Sequence, residues 1–248
     1  MHARRLDPLD ALRGLAMVWM TVFHFCFDLN NARILQQDFH HNPVWTWQRT
    51  FILSLFLVCA GVGQALAQRQ GQSWRQFGKR WGQIAAAAGL VSLGSWFMFP
   101  HSYIYFGVLH GMAVMLLIVR LLMPWRQWYA VVGMAIIATH LIAGRALSAW
   151  ASSVSGIDFD APALHWLGLI TRLPITEDFV PLFPWLGVML LGAAAMQKYL
   201  AHEVPPTGGR RQGWLHRKLA QLGRYSLSYY LLHQPVMLGL LWLAGIRA

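Results

Sequence analysis

The first apolar run long enough to cross a membrane, about residues 12–29, holds His24 and Asp28 within it and follows the charged lead Arg4-Arg5-Leu6-Asp7-Pro8-Leu9-Asp10-Ala11-Leu12-Arg13-Gly14. An ionisable side chain in hydrocarbon costs roughly 2.5 to 3.5 kcal/mol on insertion scales, so two of them one turn apart point to a site. Four residues apart on a helix, the two groups lie about 6 Å apart along the axis and roughly 40° apart around it. That spacing allows the Asp28 carboxylate to bond an imidazole nitrogen of His24, orienting the ring as a general base near neutral pH requires. A plain interhelical hydrogen bond from His24 is the structural alternative.

The rest of the chain makes a membrane setting the only consistent one. Of 248 residues, 56% are hydrophobic and 12% charged, with mean hydropathy +0.42, which excludes a two-domain soluble enzyme. Trp45, Trp47, Trp125, Trp128 and Trp166 fall at the edges of apolar runs, where indoles sit at the interface of a bilayer. The first run holds His and Asp and has no small-residue cleavage site, so it is expected to be a retained helix rather than a cleaved signal. Cys26 and Cys59 both lie in apolar runs, which argues against a disulfide framework.

Windows of about 18 largely apolar residues predict seven transmembrane helices near 12–31, 48–67, 83–100, 104–123, 128–144, 182–199 and 225–245. The fold class expected is therefore all-α, a polytopic helical bundle forming a single domain over residues 1–248. Fifteen of the twenty Lys and Arg residues fall on alternate loops, leaving Arg33, Arg49, Arg145, Arg172 and Arg247 for the other side. The positive-inside rule then puts the N-terminus in the cytoplasm and the C-terminus outside. The net charge of +11 is mostly this inner collar, which suits anionic lipid headgroups and needs no nucleic acid to explain it. The same collar, at Arg13, Arg75, Lys79 and Arg80, would hold the phosphates of a cytosolic coenzyme.

On the outer side the longest loop runs from about 145 to 181 and contains Asp158, Asp160, His165, Arg172, Glu177 and Asp178. Glu177 and Asp178 stand directly before a helix; they complement its dipole or receive an amine or sugar arriving from outside. His40 and His41 in the first outer loop are solvated polar residues or overhang a site at the outer mouth. His110 and His233 each interrupt an apolar helix, the first toward the outer half and the second near the middle, where either satisfies a neighbouring helix or lines a cavity. Pro235 frees a carbonyl near His233. No histidine spacing with an attendant carboxylate suggests a zinc site, so no metal is expected. The stretch 201–213 reads as a polar linker.

Several segments in order give the chain a resemblance to a known family. They are Leu9-Asp10-Ala11-Leu12-Arg13-Gly14 with His24-Phe25-Cys26-Phe27-Asp28, Trp47-Gln48-Arg49-Thr50-Phe51 with Leu55 to Gly61, and Tyr105-Phe106-Gly107-Val108-Leu109-His110. Two more are Asp178-Phe179-Val180-Pro181-Leu182-Phe183-Pro184-Trp185-Leu186-Gly187 and the run from Leu222 to His233-Gln234-Pro235. Together they resemble the transmembrane domain of heparan-alpha-glucosaminide N-acetyltransferase and its small bacterial relatives. His110 stands where that family usually shows Gln followed by Arg.

The resemblance implies an enzyme of the bacterial inner membrane that moves an acetyl group from cytosolic acetyl-CoA to an amino sugar or envelope glycan on the far side. A histidine is the implied base or acetyl carrier; by position it matches His40 or His41 in the eukaryotic pattern and His24 in the bacterial one. The expected assignment is catalysis by His24, Asp28, His40 and His41. Coenzyme binding falls to Arg13, Arg75, Lys79, Arg80 and His233, and acceptor binding to Arg49, His110, Glu177 and Asp178. Membrane lipids are expected partners and a homodimer is left open. The competing reading is a proton-coupled transporter or flippase with His24 and Asp28 as the relay.

Overall fold

A computed structural model describes residues 6–201 and 213–246. The basic and histidine positions expected at Arg4, Arg5, His2, His202, Arg210, Arg211 and Arg247, and most of the linker 201–213, lie outside the described residues. Among those described the chain is all-helical, with no strand beyond a single isolated bridge between Phe106 and Phe179.

The helices are α1 (Asp7–Asn31), α2 (Pro43–Arg69), α3 (Trp74–Met98), α4 (Val108–Leu121), α5 (Tyr129–Ser155), α6 (Leu182–Ala201), α7 (Trp214–Arg224) and α8 (Ser226–Leu243). Each apolar window of the sequence lies on one of them, and the differences are at the ends. α3 starts earlier than its apolar window because Ser73 and Gln76 form a capping box, which draws the basic turn Arg75 to Arg80 into the helix. α4 starts later, at Val108, because Gly107 is extended and the Asp178 carboxylate accepts from the Val108 N–H at 2.7 Å. α7 was not expected; it is amphipathic rather than apolar, so a hydropathy window passes over it.

Three described helices are long and apolar enough to cross a membrane: Asp7–Asn31, Pro43–Arg69 and Met123–Gly144. α1 buries two carboxylates, Asp10 and Asp28, among Ala11, Ala16, Met17, Met20 and Phe23. Leu12, Leu15, Val18, Val22 and Phe25 are exposed along one stripe, while Asp10, Gly14, Met17 and Asp28 are buried on the other. Apolar residues facing outward and polar ones facing a seam are the arrangement that hydrocarbon surroundings select.

The chain forms two compact units. In the first, which holds the residues through Cys59 together with α7 and α8, α1 packs along α7 at contact distance. A Cβ on Gly14 would lie 2.0 Å from the Leu219 carbonyl oxygen, and one on Gly223 would lie 1.8 Å from the Asp10 carbonyl oxygen. Only glycine permits that approach. An ionic staple closes the same end: Arg13 donates to Asp10 at 3.2 Å and to the Cys59 carbonyl at 3.2 Å, and Arg224 donates to Asp7 at 2.7 Å. The Arg224 Nε lies 3.7 Å from Asp10, whose side chain is buried.

In the second unit, residues 60–204, α5 and α6 meet through reciprocal glycines. A Cβ on Gly133 would lie 2.9 Å from the Gly187 carbonyl oxygen, and one on Gly187 would lie 2.8 Å from that of Gly133. Small residues at such crossings let helix backbones pack where no hydrophobic force separates one helix from lipid. α3 and α4 are tied by the Trp81 indole N–H, which donates to the Ala113 carbonyl at 2.9 Å.

Gly223→Ala is expected to lower the midpoint of thermal unfolding in detergent, the overpacking costing about 1 to 3 kcal/mol. Gly78→Ala, where a Cβ meets nothing within 4 Å, is the control and should be neutral or stabilising.

Candidate functional site

The polar residues of α1 and α8 form one seam in the first unit. Thr21 spends its proton on the Met17 carbonyl at 2.9 Å, so the Tyr229 hydroxyl, 2.6 Å from Thr21 Oγ1, is the donor of that pair. The His24 ring meets the His233 ring edge-on with centroids 5.3 Å apart, and Tyr229 stacks parallel to His233 at 6.0 Å. The Asp28 carboxylate is buried and takes both its oxygens to Gln234, whose Nε2 donates at 2.9 and 3.0 Å.

That last contact changes the expected geometry: the partner of Asp28 is the Gln234 amide across the seam, not the His24 imidazole four residues back. Its physical reason is directness. The Gln234 amide from another helix reaches both oxygens at once, and the His24 ring is instead turned toward His233.

His233 has a defined tautomer. Its Nδ1 lies 2.7 Å from the Tyr230 carbonyl oxygen, which can only accept, so Nδ1 carries the proton and Nε2 bears the lone pair. That Nε2 is buried and has no hydrogen-bond partner. A buried imidazole with an open lone pair, one ring away from a second imidazole, is the arrangement of a base awaiting a proton.

The loop histidines are placed differently. His41 is exposed and its Nδ1 is 3.0 Å from Asp38, whose carboxylate also receives the backbone N–H groups of His40 and His41. Those bonds, His41 first, hold the Asp38 carboxyl below the ordinary carboxylate value. His40 is exposed and faces the edge of Phe27 at 6.5 Å. A shallow, open depression of about 420 Å³ lies beside this loop, lined by Asn30, Arg33, Leu35, Gln36, Gln37 and Asp38.

In the second unit the expected acceptor residues build a loop frame at the start of α4. Ser92 donates to the Ile104 carbonyl at 2.7 Å, so His110 Nε2, at 3.0 Å, is the donor to Ser92, while His110 Nδ1 accepts from the Gly107 N–H at 3.3 Å. Both nitrogens of His110 are thus spent on shaping the 104–107 turn. Asp178 caps α4, and Glu177 accepts from the Ser102 hydroxyl while its own N–H donates to the Ser102 carbonyl at 2.8 Å. Arg49 is exposed and belongs to the first unit. Arg75, Lys79 and Arg80 are exposed on the first turns of α3 in the second unit, whereas Arg13 is engaged in the staple of the first.

Four groups that the sequence reading did not single out prove structural or polar anchors. Gln234 and Tyr229 sit beside His233, and their only signal was that the helix carried polar residues on the His233 face. Tyr105 donates to His165 Nδ1 because His165 Nε2 donates to the Asp160 carbonyl at 2.7 Å, and burial raises the Tyr105 phenol, keeping its proton in place. Arg120, counted in sequence among the inner loop charges, is buried in the last turn of α4. It donates to the Gln72 carbonyl at 2.6 Å and lies over the Trp74 ring at 4.9 Å. Its signal was a charge inside an apolar run. Among the described residues no group of three or more His, Cys, Asp or Glu is placed to hold a metal ion.

Helices with lipid-compatible exteriors and polar seams define this chain as a multi-pass membrane protein with a buried imidazole cluster. The family model of heparan-alpha-glucosaminide N-acetyltransferase, catalytic, matches residues 5–235, and the chain belongs to that family. It is thereby a transferase of a membrane acetyltransferase family. No curated protein and no solved structure matches it.

Asp160 generates a pH test of the long loop between α5 and α6. The Thr171 side chain and then the Thr171 and Arg172 N–H groups hold its carboxyl below the ordinary 3.8. A carboxylate with a depressed folded value stabilises the loop above its unfolded value and ceases to as pH falls through the folded one. Amide exchange at Thr171 and Arg172, corrected for intrinsic rate, should therefore stay slow above pH 3.8 and accelerate below it. Asp160→Asn should remove that pH dependence.

Proposed function

We propose that the protein is a seven-span inner-membrane acetyltransferase, single-domain, with a cytoplasmic N-terminus, moving the acetyl group of cytosolic acetyl-CoA to an amino or hydroxyl group of a sugar at the outer face. The observation that carries this reading is the open, buried lone pair of His233 Nε2 beside His24 in a chain of this family.

The seam supplies the base. His24 and His233 share the task of removing the acceptor's proton as its nitrogen or oxygen attacks the thioester carbonyl; the new C–N or C–O bond forms, the C–S bond breaks, and the coenzyme leaves as a thiolate that the imidazolium reprotonates. The Tyr229 hydroxyl and the Tyr230 carbonyl hold the rings in register, and Gln234 with Asp28 fixes α8 against α1. Arg75, Lys79 and Arg80 draw the coenzyme phosphates to the inner surface. Glu177 is exposed beside the loop frame and is the acid offered to an amino sugar, while Asp178 and His110 hold that frame in shape. His40 and His41, exposed in the first outer loop, would meet the acceptor rather than the thioester.

His24→Ala and His233→Ala should each lower the turnover number by about 10² to 10⁴-fold, the range of general-base catalysis, in protein that elutes and melts like the parent. Full activity in a well-folded His24→Ala, His233→Ala double variant would remove the seam from the mechanism. Labelled acetyl-CoA without acceptor, quenched after one turnover, separates direct transfer from an acetyl-histidine route: retained label means the latter. Reporter tags at the two ends should read cytoplasmic at the N-terminus and external at the C-terminus.

A further inference from the structure

A second set of buried polar groups lies within the unit formed by residues 60–204. Gln64, Gln68 and Gln197 each leave a buried amide nitrogen with no acceptor, and Gln72 leaves a buried Oε1 with no donor. Gln64 is 7% exposed. Buried amides that find no partner within the protein destabilise it and ask for one from outside.

The four groups lie toward the same end of the unit. Gly61, Gln64 and Gln68 share a face of α2 at spacings of three and four residues. Gly61 sets that face against α6, since a Cβ there would lie 2.1 Å from the Met189 carbonyl oxygen and 2.9 Å from the Ala193 nitrogen. α4 and α6 begin together, where Asp178 caps Val108 at 2.7 Å and a Cβ on Gly111 would lie 2.3 Å from the Val180 carbonyl oxygen. α4 ends where Arg120 reaches the Gln72 carbonyl at 2.6 Å, just past the end of α2. α2 therefore runs the same way as α6, and Gln64 and Gln68 lie beyond Gly61 on the side where Gln197 lies beyond Ala193.

We propose that these four glutamines bind the amide-bearing arm of the acyl donor, the pantetheine chain that links the thioester to the nucleotide. The proposal rests on the acetyl-CoA reading above and assigns the part of the donor that the basic turn of α3 does not address. Pantetheine carries two amides, each with one carbonyl acceptor and one N–H donor, and a hydroxyl. Three open N–H₂ groups and one open carbonyl oxygen match that neutral, mixed pattern. A phosphate is the poorer fit, because neutral amides do not offset the desolvation of a buried anion, whereas the exposed Arg75, Lys79 and Arg80 do not have to.

The test uses purified full-length protein in lipid nanodiscs, with S-acetyl-pantetheine and acetyl-CoA as probes. Methionine matches the length of glutamine and removes the amide, so the Gln64→Met, Gln197→Met double variant should weaken both probes at least fivefold and by the same factor. Its ligand-free melting temperature should equal or exceed the parent's, because open buried donors have been removed. Arg75→Ala with Lys79→Ala should weaken acetyl-CoA and leave S-acetyl-pantetheine unchanged. A smaller loss than fivefold in the folded double variant overturns the assignment, as does a parent protein that binds acetyl-CoA but not S-acetyl-pantetheine at millimolar concentration. Should the double variant fail to fold, Gln68→Met at the less buried position carries the same expectation. A parent that binds neither probe overturns the acetyl-CoA reading itself, and the two failures are thus distinct.

Discussion

A carboxylate inside a membrane-length helix must be met by a donor from another helix, and the pairing of Asp28 with Gln234 is that obligation fulfilled. The contact joins residues 206 positions apart, and it fixes how α8 sits against α1. Once α8 is placed, His233 faces His24 and Tyr229 reaches Thr21. Removing the amide would leave a buried charge unpaired, which costs far more than the pair contributes when made. The imidazole seam is in this sense a product of satisfying Asp28 rather than an independent feature.

Each unit carries its own set of buried polar groups. The first holds imidazoles, a phenol and a carboxylate–amide pair in its helix seam, with an Arg–Asp staple at the α1–α7 end. The second holds neutral glutamine amides among its helices and a loop frame organised by His110, Asp178 and the Tyr105–His165 pair.

Much of the fold was legible because hydrocarbon imposes length and polarity rules that a hydropathy window reads directly. Every apolar window corresponds to a helix, and the polar seam of α1 was visible in His24 and Asp28. What stayed hidden depended on partners distant in sequence. The spacing of His24 and Asp28 suggested a mutual bond, since nothing local announced that Gln234 would arrive from the far end of the chain. Arg120 reads as a loop charge beside Arg126 until Trp74 and the Gln72 carbonyl are seen to enclose it. His110 looks available in sequence, and only the turn it shapes shows that both its nitrogens are taken. α7 escaped because an amphipathic helix has no apolar window.

The first unit is built from the two ends of the chain, with Gly14 and Gly223 locking α1 to α7. During synthesis α1 therefore emerges long before the surface that completes it. Until translation is nearly finished, its buried Asp10 and Asp28 lack Arg224 and Gln234. A nascent chain of this kind carries its polar stripe without a home through most of its biogenesis, which makes it a natural client for insertion machinery able to shelter a charged helix. Truncated or stalled products would leave the Asp28 carboxylate without the amide that meets it.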